Sequence, residues 1–139
     1  MEISAVRRRL TETIDRAKKR AAERRARGDQ ATRDFEVFLQ KIAVPLFKQV
    51  AGALKAEGYP FTVFTPSGSI RLMSDRNAED FIELSLETAG DQPQVIGHVS
   101  RSRGRRVIES ERAIGGPGEL TEEMVLEFLL KELEPFVER

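Results

Sequence analysis

The sequence predicts an α+β fold: two N-terminal helices, a sheet of about five antiparallel strands, and a C-terminal helix, with the helices packed on one sheet face. Three observations carry this. Phe81–Ile114 reads as three short strands joined by turns. Phe35–Leu54 and Val125–Val137 each repeat apolar residues at three- and four-residue spacings. Helices set apart from a run of hairpin-connected strands are the signature of an antiparallel sheet covered on one side.

The first helix covers residues 2–27. Ile3, Val6, Leu10, Ile14, Ala17 and Ala21 form a narrow stripe that fades into alanine, and no Gly or Pro interrupts it. Glu12/Arg16, Asp15/Lys19 and Glu23/Arg27 are spaced for i,i+4 ion pairs. Gly28 is read as its stop and Asp29 as the cap of the next helix, giving a basic arm over 1–28 and one α+β domain over 29–139.

The second helix has a broad apolar face of Phe35, Phe38, Leu39, Ile42, Leu46, Phe47, Val50 and Leu54, suited to lying across a sheet. Pro45 is expected to kink it, and Gly58 and Pro60 to end it.

Phe61–Thr65 and Ser69–Ser74 make a hairpin around Pro66-Ser67-Gly68. In Phe81–Glu87, Ile82, Leu84 and Leu86 alternate with Phe81, Glu83, Ser85 and Glu87, so one face is apolar. Gln94–Arg101 and Arg105–Ile114 pair through Ser102-Arg103-Gly104. There the adjacent Val95/Ile96 and Val107/Ile108 leave the inward face open, since a one-residue slip inverts every side chain. Thr121 caps the final helix, with Glu122 and Glu123 in its first turn.

Composition bounds function. The 139 residues, 40% hydrophobic and 33% charged, suit one domain with a real core. No uninterrupted apolar run approaches a spanning length, and the basic N-terminus is not followed by an apolar segment of the secretory kind, so no membrane partner is expected. Absence of cysteine removes thiolate nucleophiles and thiolate metal sites and fits a reducing, cytoplasmic setting.

No enzyme class stands out, and no cofactor is expected. His98 is the sole histidine, and Glu109 and Glu111 share a strand face. His98 is read as an ordinary polar or half-buried strand residue, and the carboxylates as solvent-facing groups meeting Arg101, Arg103 or Arg105 across the hairpin. A pocket between sheet and helices converging on His98 and Glu109 would revive an enzyme reading. Gly115-Gly116-Pro117-Gly118 lacks the Lys-Ser/Thr of a phosphate loop and is followed by Glu119.

Charge is uneven though its sum is zero. Residues 1–27 hold ten Lys/Arg against four Asp/Glu, a net +6, whereas 119–139 hold two against seven, a net −5. This asymmetry suggests two functions. The first is a non-catalytic module that self-associates as a homodimer through Ile3, Val6, Leu10 and Ile14. The alternative is a nucleic-acid or other polyanion binder using Arg7, Arg8, Arg9, Lys18, Lys19 and Arg20 with Arg101, Arg103, Arg105 and Arg106. Neither basic stretch has an interleaved aromatic on which a base could stack.

Overall fold

The computed structural model describes residues 1–138. Helix α1 (Ile3–Phe38) runs into a π-turn (Leu39–Ala43) and then helix α2 (Val44–Ala56). A sheet comes next, formed by β1 (Phe61–Phe64), β2 (Ser69–Ser74), β3 (Phe81–Glu87), β4 (Gln94–Arg103) and β5 (Arg106–Gly115), and helix α3 (Glu122–Val137) closes the chain. The five strands pair antiparallel in the order β1-β2-β3-β4-β5. This is the α+β arrangement the sequence predicts.

The helical break expected at Gly28 is absent. Gly28 sits inside α1, and the Thr32 hydroxyl donates to its carbonyl at 3.0 Å. Glycine in a helix interior costs only about 1 kcal/mol relative to alanine. Helical residues on both sides outweigh that, so Asp29 caps nothing. The arm and the core helix are therefore one rod.

The kink expected at Pro45 takes the form of the π-turn before it. Pro45 has no N–H and its ring crowds the carbonyl four residues back; widening the turn relieves this, and the Val44 N–H donates to the Leu39 carbonyl, five residues behind. The extra residue also rephases the apolar face. Ala31, Phe35 and Phe38 are buried before the turn, and Ala43, Leu46, Phe47 and Val50 after it. Extending the first series by heptads from Phe35 would bring Ile42 and Gln49 to the sheet. The buried residues fall one position later, an angular step of about 100° that the π-turn absorbs.

By window-averaged composition this rod also passes as a membrane-span candidate, with a stretch of mean hydropathy 1.3, although no single run of the sequence is continuously apolar. Of that stretch 22% is buried; Ala43, Leu46, Phe47 and Val50 of the rod lie in the core.

The core lies between one sheet face and the helices. Ile70, Leu72, Ile82, Leu84 and Val95 point inward against Phe47, Val125, Phe128 and Leu129. The Val95/Ile96 ambiguity resolves with Val95 buried and Ile96 half-buried on the other face. A bulge at this point sets Val95 against Gly115 and Ile96 against Ala113. Val107 and Ile108 are both exposed, because β5 is an edge strand whose residues Arg106–Ala113 are all exposed. The turn lies slightly beyond the expected position: Arg103 still pairs with Arg106, and Gly104 takes the left-handed conformation (φ 63°). The Thr121 cap forms as expected, its hydroxyl accepting from the Met124 N–H at 3.2 Å.

Candidate interaction surface

The uncovered sheet face carries a row of polar side chains that contact one another. Register aligns Arg71, Glu83, His98 and Glu111 in one row across β2, β3, β4 and β5. Arg71 Nε donates to Glu83 Oε2 at 2.6 Å, and its guanidinium lies 3.9 Å over the Phe81 ring. Phe81 in turn meets His98 edge-on at 5.2 Å. Phe81 thus lies on the wet face of its strand yet is buried beneath its neighbours.

His98 lies between Glu109 (3.6 Å) and Glu111 (4.0 Å). The carboxylates do not meet the hairpin arginines as expected: Arg101 stands opposite Ile108, whereas Glu111 stands opposite His98. His98 and Glu109 project on the side away from the helices. A pocket between sheet and helices therefore cannot converge on them. Among the described residues no group of three or more His, Cys, Asp or Glu is placed to hold a metal.

The two basic clusters lie at opposite ends of the molecule. Arg27 Nε donates to the Asp91 carbonyl at 3.3 Å, and Arg27, Gln30, Ala31 and Asp34 border the Pro93 and Gly116–Glu119 loops. The rod thus leaves the body at the end of the sheet where β4 begins. Arg103, Arg105 and Arg106 are at the other end of β4, about 30 Å away for a ten-residue strand. Arg101 and Arg103 instead border a cleft of about 280 Å³ with Pro135 and Glu138, at the C-terminal end of α3, where the helix dipole favours cations. The arm's arginines and the hairpin's do not form one surface.

The arm itself projects about 36 Å from Arg27 to Ile3. Every residue from Ile3 to Gln30 is exposed or half-buried, and the first buried one is Ala31. Ile3 is 74% exposed, Val6 48%, Leu10 56% and Ile14 43%. None of the three expected i,i+4 ion pairs closes among the described residues. Arg16 instead donates to the Thr13 hydroxyl, and Arg27 to the body.

A second apolar surface lies outside the sequence-based expectations. Between α2 and α3 runs an open groove of about 600 Å³, floored by Leu46, Val50, Leu54, Leu126, Leu130 and Leu133. Leu130 is 56% exposed there. The sequence does carry a signal for it: Leu126 and Leu130 widen the apolar face of α3 beyond what Val125, Phe128, Leu129 and Leu133 need to cover the sheet.

With the geometry described, comparison with known proteins adds no relative: no protein-family profile matches the chain, and no curated protein or solved structure does so either.

Proposed function

We propose that this chain is a non-catalytic interaction module that self-associates through its N-terminal arm. The observation that carries the reading is the exposed stripe Ile3, Val6, Leu10 and Ile14 on a rod that meets the body first at Arg27. Fully burying an aliphatic side chain of this size contributes roughly 1.5–3 kcal/mol. An isolated helix gains nothing from such residues, and tertiary packing supplies most helical stability in proteins. Homodimers are the commonest assemblies and give such a stripe an equivalent partner.

Removing residues 1–27 is the direct test, because every buried residue lies beyond them. By light scattering the intact chain is expected to run as a dimer and the truncated chain as a folded monomer. An unchanged mass relative to the protomer count of the intact chain refutes the reading.

The exposed Arg7, Arg8, Arg9, Lys18, Lys19 and Arg20 on the arm favour a second reading, polyanion binding by the arm alone. It predicts a complex with a short duplex that weakens steeply with salt, and a shallower salt slope when Arg7, Arg8 and Arg9 are replaced together. No binding at low salt rules it out.

A further inference from the structure

The α2–α3 groove and the arm's stripe match in length, polarity and charge. Ile3 to Ile14 spans about 17 Å along the helix axis; on the groove walls, Leu46 to Glu57 spans about 17 Å and Glu122 to Val137 about 22 Å. The stripe is one aliphatic side chain wide, and the groove is floored by leucine and valine between two helices, the geometry that receives an amphipathic helix. Glu57 and Glu122 are among the groove's lining residues, and Glu123, Glu127 and Glu134 are exposed along α3. The arm brings Arg7 about 60° around the helix from the centre of its stripe, where it faces such a rim.

The arm cannot fill the groove of its own chain. One groove wall is α2, and α2 and the arm belong to the same uninterrupted rod from Ile3 to Ala56. A straight helix does not lie alongside itself. The occupant must therefore come from another molecule.

We infer that the groove is the receptor for the arm of a second copy of this chain, and that two copies exchange arms reciprocally about a twofold axis. The inference rests on the self-association proposed above and adds where the arm docks. Reciprocity is favoured by area and by closure. Four aliphatic side chains from one arm fall short of the about 800 Å² per partner found in specific stable interfaces, and exchange doubles the contact. One-way docking would leave a free groove at one end and a free arm at the other, and so propagate into open chains.

The test uses the full-length chain, Leu130→Glu and a cysteine pair. Leu130 is already 56% exposed, so a charge there is compatible with the fold of the protomer. Light scattering is expected to give a discrete dimer for the parent chain and half that mass for Leu130→Glu. A Leu130→Glu chain that stays dimeric overturns the groove while leaving self-association standing, the result expected if arms pair with arms. A monomeric parent chain overturns both, and leaves the groove to a different partner. Growth into ever larger species with concentration overturns reciprocity.

Should Leu130→Glu fail to fold, Leu10→Cys and Leu130→Cys chains decide the matter. The parent sequence has no cysteine, so each variant carries a single thiol. Mixed and mildly oxidised, they are expected to form the mixed disulfide between position 10 of one copy and position 130 of the other. Disulfides only between two Leu10→Cys chains, or none, overturn the proposal.

Discussion

Phe47→Ala is expected to lower the unfolding free energy by about 3–5 kcal/mol, the range for removing a buried phenylalanine from a packed core. Phe47 has no exposed surface and sits on the face of α2 turned to the sheet, in the cluster that includes Leu46, Ile70 and Leu72. Its loss removes apolar contact and leaves a cavity that the rod and the five paired strands cannot easily close. Val37→Ala is the control: Val37 is exposed on α1, alanine is the better helix former, and the change should stay within about 0.5 kcal/mol. Urea unfolding at one fixed protein concentration checks both, because association would make stability concentration-dependent. Equal midpoints for the two variants would contradict the placement of Phe47 in the core.

Gly97→Ala is expected to cost about 1–3 kcal/mol through overpacking. A Cβ on Gly97 would stand 2.4 Å from Phe128 Cζ and 3.0 Å from Cε2, so the ring must move. It has little room, since Phe128 is buried in the core cluster, with the Arg112 guanidinium 5.1 Å from its ring centroid. Phe128→Leu should cost stability alone, through the smaller side chain, yet recover part of the loss in the Gly97→Ala background. A double-mutant cycle reads this directly, with an expected coupling of about 0.5–3 kcal/mol. Strictly additive costs would mean the ring does not rest on Gly97.

Local chemistry made much of this fold legible. The alternation Ile82, Leu84, Leu86 marks an inward strand face, Gly104 marks the hairpin turn, and Thr121 caps α3, because each signal is written within a few neighbouring residues. What the sequence hid depends on residues far apart. The inward choice between Val95 and Ile96 turns on a bulge against Gly115 and Ala113. Phe81 reads as a residue of the wet face, and it is one; only the register that brings Arg71 and His98 beside it explains why it is buried. The preference of Gly28 taken alone favours a stop, whereas the continuous hydrogen-bonded helix around it decides the outcome.

The candidate site divides in the same way. The arm's stripe is visible from helical spacing alone. The groove is built from α2 and α3, on opposite sides of the sheet in chain order, and no local window contains both walls. The basic clusters look like one surface in composition, and the length of β4 separates them.

The π-turn at Leu39–Ala43 has a meaning for the arm as well as for the core. Because the rod continues through it, one residue more or fewer there would swing everything N-terminal to it by about 100° about the helix axis and shift it by about 1.5 Å. The sheet would keep its packing against α2, but Ala31, Phe35 and Phe38 would turn out of the core together with the arm. The stripe would face a new direction, like a key cut correctly but turned in the hand. The compass bearing of Ile3 to Ile14 is thus written not in the arm but in five residues beneath the sheet, and the burial of Phe35 and Phe38 holds it there against insertion.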